Sequence, residues 1–212
     1  MEKLKTTINP DETFVLGLDV STKTIGVALF TQEGALVELT HISPKAKPLP
    51  PTKTEEHMRK ADLFAKFISK YDGLKIVKAV IEEPLLGSNN IYTVAVLLRF
   101  NGIVSKIIYD KFGVVPVYIS TYDARKFGFP ELMRPNEKGK IVLFGEYPKD
   151  VDKKKVIWQL VSTMYPAIEW LYGKRGNLQK ENFDMSDAAC AVLGEMRKEN
   201  LWTVTNGVIT QL

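Results

Sequence analysis

The chain is poor in sulfur and imidazole, with one cysteine, Cys190, and two histidines, His41 and His57, among 212 residues. A lone cysteine excludes a disulfide framework and a Cys-based zinc site. It fits a reducing compartment, so a cytoplasmic location is expected. The two histidines read as surface or loop residues rather than metal ligands. Long apolar runs are also missing. The stretch Ile91–Leu98 is interrupted by Tyr92 and Thr93 and ends at Arg99, far short of the roughly 20 residues that span a bilayer. The opening residues, MEKLKTTINPDET, have no apolar core of the signal-peptide kind. No membrane partner is expected. Charge of one sign is scarce as well: 29 Lys and Arg against 25 Asp and Glu leave +4, which permits a nucleic-acid partner without arguing for one. Apolar residues are abundant, at 45%. That is too much for a disordered chain and enough for one elaborated domain with its own core.

The pattern along the chain predicts an α/β protein. Three strands come first, FVLGLDVS, TIGVALFT and ALVELTHIS, joined by short turns as antiparallel neighbours require. A proline-rich loop (44–53) follows. Thr54 is the expected cap of a helix through Tyr71. IVKAVIE (76–82) reads as a strand buried on both faces, and Ser88 as the cap of a helix through about Asp110, stopped by Gly113. VVPVYIS (114–120) reads as another buried strand. A helix between two apolar strands implies a right-handed parallel crossover, so the order βββαβαβ predicts a mixed sheet. Residues 128–151, with Pro130, Pro135, Pro148 and Gly139, read as an insertion with one short strand at 141–145. Helices are expected at 152–164, 166–172 and 184–200. The expected domain is 13–200, with a lead (1–12) and a tail (201–212).

Three places carry chemistry. Asp19 stands near the end of an otherwise apolar strand. A buried, unpartnered carboxylate there costs several kcal/mol, so it needs a partner or a metal; the alternative is a turn cap bonding the Ser21–Lys23 amides. Glu82 ends the run IVKAVIE. Successive strand residues face opposite ways, so only one of Glu82 and Glu83 faces a given site, and the C-terminal ends of parallel strands are where α/β sheets place their sites. The alternative is two polar residues entering a loop. Asp184 and Asp187, three apart, share one helix face, although an acidic first turn is favoured by the helix dipole alone. Together these four carboxylates are hard oxygen ligands suited to Mg²⁺, with Mn²⁺ as a substitute. Two such ions would support phosphodiester hydrolysis.

LGLDVSTKTIGVALF, KAVIEEP and DMSDAACAVLG resemble, in order and context, the three motifs of the RuvC-type branch of the RNase H-like superfamily. The resemblance covers most of residues 13–195. It implies a five-stranded mixed sheet (βββαβαβα) with helices on both faces, and the metal-binding carboxylates Asp19, Glu82, Asp184 and Asp187. It also implies an Mg²⁺-dependent homodimer that resolves four-way (Holliday) DNA junctions by paired nicks. The family carries a lysine before the last motif. In DKKKV (152–156) it falls on Lys153, with Lys154 and Lys155 as rivals, where it would steady phosphorane charge or protonate the leaving group; a solvated lysine run is the alternative. Helix residues Tyr92, Leu97, Leu98 and Phe100 fit the family's dimer surface, or a core.

Departures point to a divergent, viral or organellar relative with a range extending to forks or flaps. Leu85 stands where the family has an aromatic, and the 44–53 segment, the insertion and the tail are unusual. From Arg134 to Lys155, seven basic residues face four acidic ones. Lys154 and Lys155 are among these, and with Lys23, Arg125 and Lys126 they suggest a phosphate-tracking surface. Three other readings are weighed. An actin-like ATP-binding protein needs a second domain and phosphate loop, and a YqgF-type RNA-processing nuclease needs an Asp-Glu-Arg motif. An inactive binder would not keep the carboxylate set.

Overall fold

The computed structural model describes residues 12–84, 90–148, 150–205 and 208–211. The expected cap Ser88, the departure at Leu85, the lead (1–11) and Lys149 lie outside them.

Strands β1 (Thr13–Val20), β2 (Ile25–Thr31) and β3 (Leu36–Ile42) form an antiparallel meander. Helix α1 (Lys53–Ile68) leads to β4 (Lys75–Glu82), which pairs parallel to β1. Helix α2 (Ile91–Phe112) leads to β5 (Val117–Ile119), parallel to β4. The sheet order is β3-β2-β1-β4-β5. It is the mixed α/β sheet that the pattern predicts, with helices on both faces. On one face α1 and α2 bury Phe64, Ile68, Phe100, Val104 and Ile108 against Leu16, Leu18, Val27 and Ile81. On the other lie α3 (Thr121–Gly128), α4 (Lys153–Met164) and α5 (Glu181–Lys198), packed on Val15, Ala28, Phe30 and Val80.

Several boundaries differ from expectation, each for a local reason. Helix α1 is capped by Thr52, whose hydroxyl accepts from the Glu55 amide at 3.1 Å; Thr52 has an acidic residue three positions on, as the capping-box sequence pattern requires, and Thr54 does not. Helix α2 is capped by Asn90 and ends at Gly113 in the left-handed region (φ 71°). It runs for 22 residues and, among the described residues, is the one helix long and apolar enough by composition to cross a membrane. Tyr92, Thr93 and Arg99, which break up the apolar stretch in the sequence, lie within it. Strand β5 is a short edge strand with Val117 and Tyr118 half-exposed, not a buried one. Residues 166–172 form no helix. Pro166 ends α4, and the Leu171 backbone is paired instead by the Asn182 amide, which accepts from its N–H at 2.9 Å and donates to its carbonyl at 2.7 Å. The insertion folds as a hairpin, β6 (Met133–Pro135) with β7 (Ile141–Leu143). The expected tail begins a second hairpin, β8 (Trp202–Thr205) with β9 (Val208–Gln211). Trp202 is buried against Phe30 and donates to the Gln32 carbonyl at 2.7 Å.

Helix α5 begins three residues earlier than expected, and thirteen of its eighteen residues are buried. Its run of small residues is what admits it. A Cβ on Gly17 would stand 2.6 Å from the Ala188 carbonyl oxygen, and one on Gly26 would stand 2.0 Å from that of Asp184. Glycine at these two positions lets β1 and β2 meet the α5 backbone directly.

Candidate active site

Sheet register decides which carboxylates meet. Asp19 pairs with Gly26 across the β1–β2 ladder. Residues opposite one another share a face, so Asp19 points the same way as the glycine that touches the Asp184 backbone. In the parallel pairing Leu18 lies beside Ile81. One residue on, Asp19 and Glu82 stand side by side on the α5 face, and Glu83 points away from it. Helix α5 then adds Asp184 and Asp187 from its first two turns. Asp187 is only 2% exposed.

The turn-capping alternative for Asp19 is removed by Ser21. The Ser21 hydroxyl accepts from the Lys23 and Thr24 amides at 3.2 and 3.0 Å and donates to the Thr24 carbonyl at 2.8 Å. The turn is closed without Asp19, whose carboxylate is left to the site. The N-cap alternative for Asp184 falls with the earlier helix start.

The clustered charge is visible in the proton affinities. Burial, then Glu82, Asp187 and Asp184, hold the Asp19 carboxyl well above the usual carboxylate range. Burial and Asp187 push Glu82 up to about 7, against a hydrogen bond from Thr121 that favours its ionised form. Burial pushes Asp184 to about 6, partly offset by Lys154. This is a cluster with more negative charge than its protein surroundings neutralise, and such clusters are functional-site candidates.

Lys154, not Lys153, is the lysine at the carboxylates. Its ammonium lies 3.2 Å from Asp187 Oδ2 and 3.8 Å from Asp184 Oδ1. Burial works against its charge, but Asp187, Asp19 and Asp184 raise its pKa above the usual lysine value. Lys153 sits one residue earlier on α4 and turns outward, its ammonium 5.5 Å from the Phe144 ring centroid. The Asp152 cap, which accepts from the Lys154 and Lys155 amides at 3.1 and 3.3 Å, sets this phase. Lys155 is exposed.

Arg125 also departs from expectation. Its side chain is 12% exposed and lies 3.5 Å from Asp187 Oδ1, rather than on an outer phosphate-tracking surface. Helix α3 packs against α5 so closely that a Cβ on Gly194 would stand 2.5 Å from the Ala124 Cα, and this turns the Arg125 face inward. Lys126 lies half-buried over the Phe127 ring at 4.9 Å. Arg134 is ion-paired with Glu146, so it is not one of the insertion's free cations. Lys23 is exposed on the β1–β2 turn.

The sequence reasoning missed α3 altogether, and with it Thr121, whose hydroxyl donates to Glu82 Oε1 at 2.6 Å. A signal existed. Ser120 with Asp123 three residues on is a capping-box pattern, and the Ser120 hydroxyl does accept from the Asp123 amide at 3.0 Å. Thr121 and Arg125, four apart, then face the site from one side of a short helix.

A hard divalent cation fits this donor set in kind. Four carboxylates converge where charge is uncompensated, with no sulfur and no imidazole among them. Among the described residues, no three His, Cys, Asp or Glu side chains stand close enough together to form a finished cage; Lys154 and Arg125 hold part of Asp187's capacity instead.

No family model matches the sequence, and no curated protein is detectably similar to it. Solved structures are similar in shape. RuvC of Thermus thermophilus in complex with a Holliday junction substrate superposes with a TM-score of 0.57 at 10% identity, over 94% of this chain and 99% of that one. A second Thermus thermophilus RuvC structure gives 0.53 at 15% identity over the same shares. The yeast mitochondrial Holliday junction resolvase Ydc2 gives 0.54 at 12%, over 88% of this chain and 78% of that one. The fold is the RuvC-like, RNase H-like fold. At these identities the likeness is one of architecture, and the chemistry rests on the residues described above. The described residues contain one five-stranded sheet and two hairpins, so the second domain of an actin-like ATP-binding protein is not among them.

Proposed function

We propose that this chain is a divalent-metal-dependent endonuclease that hydrolyses phosphodiester bonds in branched DNA, with four-way junctions as its principal substrate. One observation carries the reading. Asp19, Glu82, Asp184 and Asp187 arrive from two strand ends and one helix at the same sheet edge, with the Lys154 ammonium beside them, in a fold shared with Holliday junction resolvases. Mg²⁺ or Mn²⁺ is the expected cofactor, held by the four carboxylates; when bound it would activate water and stabilise the departing oxygen.

The chain's own residues do the rest. Thr121 and Arg125 orient Glu82 and Asp187 from behind. Lys154, whose pKa is raised and which therefore stays protonated at neutral pH, stabilises charge developing on the scissile phosphate rather than giving up its proton. Lys23, Lys126 and Lys155 are proposed contacts to the DNA backbone, and they position it without reading sequence. The exposed Tyr92 and Leu98 of α2 are proposed to join two copies, which is the arrangement paired nicks need. Phe100 belongs to the core. A cytoplasmic location accords with the single, buried cysteine.

The test sets junction, fork, flap and RNA–DNA hybrid substrates side by side with Mg²⁺, using wild type and Asp19→Asn. Paired nicks in the junction that Asp19→Asn abolishes, with junction binding intact, are expected. Equal cleavage by both proteins overturns the reading. Preference for the hybrid moves it to an RNase H-type activity.

A further inference from the structure

A second basic feature stands at the same sheet edge as the carboxylates, on the opposite flank from α3. It is a surface pocket of about 550 Å³, lined by Lys23, Lys45, Lys47 and Lys60 around Pro44, Ala46, Pro48 and Leu49, with Glu56 as its one acidic residue. Its position follows from the register. Val20 at the end of β1 pairs with Ile25, and Ile25 pairs with Ile42 at the end of β3. The Lys23 turn and the loop leaving β3 therefore emerge side by side, and the Thr24 and Ser43 hydroxyls are 3.3 Å apart. Helix α1 ties the two together from below: the Lys60 ammonium donates to the Thr22 carbonyl at 2.8 Å and the Arg59 guanidinium to the Pro48 carbonyl at 3.4 Å.

Three of the four lysines in this pocket are uncommitted. Glu56 is already held by Lys60 at 2.7 Å and by Lys53 at 2.8 Å. Among the described residues, Lys23, Lys45 and Lys47 have no acidic partner within ion-pair distance, and all three are exposed. Exposed cations elsewhere, Lys66, Lys75, Lys138 and Lys140 among them, also stand without an acidic partner among the described residues; what sets this place apart is that three such lysines line one pocket beside the carboxylate edge. The loop that carries Lys45 and Lys47 also has its backbone restricted. Pro44, Pro48, Pro50 and Pro51 limit φ along it, and Pro44, Ala46 and Pro50 are buried. Little backbone entropy is left to lose when a ligand fixes the lysines.

We infer that this lysine pocket is a second DNA-backbone site, taking the phosphates of a strand that runs from the carboxylates across the β1–β2 turn onto the 44–50 loop. The inference rests on the proposed nuclease function and gives it a direction: the DNA leaves the site toward β3, over the Lys23 turn and then over a loop outside the motifs that suggest catalysis. Lys45 and Lys47 supply the contacts, and Lys23 bridges the pocket and the site.

The experiment measures binding without cleavage. Fluorescence anisotropy of a labelled four-way junction and of an RNA of matched sequence is followed in EDTA from 50 to 300 mM KCl. The proteins are wild type, Lys45→Gln/Lys47→Gln, and a control with the same charge change at the other end of the sheet, Lys66→Gln/Lys75→Gln. Removing two phosphate contacts lowers the slope of log affinity against log salt by roughly 1–2 and weakens junction binding about tenfold at 100 mM salt, and the control stays near wild type. Wild type that binds the junction, with both double variants alike in affinity and slope, overturns the pocket and leaves the nuclease reading standing. A loss confined to the RNA overturns the DNA assignment. Wild type that binds neither overturns both. Circular dichroism melting on each variant verifies that the fold is kept.

Discussion

Helices α5 and α2 are the two long helices on opposite faces of one sheet, and they are built on opposite plans. Helix α5 is buried on nearly every side, and its small residues let it touch strand backbone at Gly17 and Gly26 and helix backbone at Ala124. Helix α2 is longer and more apolar, yet Ile91, Tyr92, Leu98 and Tyr109 face solvent, and a groove of about 650 Å³ runs between it and α1, lined by His57, Met58, Tyr92, Val96 and Ile103. Apolar content therefore does not say which helix is central. The central helix is the one whose side chains are small enough to bring backbones together, and it is the one that carries two of the site carboxylates. Rigid placement of Asp184 and Asp187 accounts for that investment in glycine and alanine.

The sharpest way to break the contrast is to add one methyl group on each side. A Cβ at Gly26 meets the Asp184 carbonyl, which is backbone and cannot swing away, whereas a Cβ at Gly102 on α2 meets nothing within 4 Å. Gly26→Ala is expected to cost about 3 kcal/mol or more. Gly102→Ala is expected to be stabilising by about 0.5–1 kcal/mol, because alanine is the better helix former. Urea unfolding of both variants checks the pair, and equal costs would remove the structural distinction between the helices.

The next largest effect separates neighbouring lysines on α4. Lys154→Met is expected to lower kcat for junction cleavage about 100-fold with a small change in KM, as loss of a charge acting on the transition state does. Lys153→Met, whose side chain leans on Phe144, is expected to stay within about threefold. The reverse order would return the role to Lys153.

Why the sequence pointed one residue away is instructive. Motif position selects a turn of helix, but which of three consecutive lysines faces inward depends on where the cap starts the helix, and Asp152 settles that. The strand carboxylates were readable because β-strand alternation and an apolar run constrain both depth and face. Asp19 and Glu82 needed no knowledge of the loops. Helix α3 was not readable from periodicity, since eight residues give barely two turns and only Ala124 and Gly128 are buried. Arg125 was misplaced for the same reason: without α3 nothing says that its guanidinium turns toward Asp187. The order of the sheet was legible from connection lengths. The hairpins β6–β7 and β8–β9, short and far from the motifs, were not.

A smaller effect, of a few degrees, concerns what the α5 side costs the protein. The folded-state pKa of Glu82, about 7, lies above its usual 4.5, and that of Asp184, about 6, lies above 3.8. The folded protein therefore binds protons more tightly than the unfolded chain at these groups. The stability they contribute is present below pH 4 and is lost as pH rises through about 6 and 7. In EDTA the midpoint of thermal unfolding is expected to fall between pH 5 and 8. Glu82→Gln is expected to raise it at pH 8 and to leave it unchanged at pH 4.5. Glu56, held down to about 2 by Lys53 and Lys60, acts in the opposite sense, but its window lies below 4.5 and does not overlap. A metal-free midpoint that climbs steadily from pH 5 to 8 would contradict the clustered charge.

The smallest effect on stability is expected on the α2 side, and there its smallness is informative. Tyr92 is 65% exposed and Leu98 45%. Replacing both with lysine removes little buried area, so the folded monomer should change by no more than about 0.5 kcal/mol. If this face joins two copies, as proposed, the same substitutions bury unpaired charge in the interface and separate the subunits. Sedimentation velocity at micromolar concentration should then give a dimer for wild type and a monomer for Tyr92→Lys/Leu98→Lys, with an unchanged far-UV circular dichroism spectrum. Junctions should be nicked on one strand where wild type cuts two. A wild type that sediments as a monomer, free and on a junction, would leave the exposed apolar face of α2 without this role and remove paired cleavage from the proposed function.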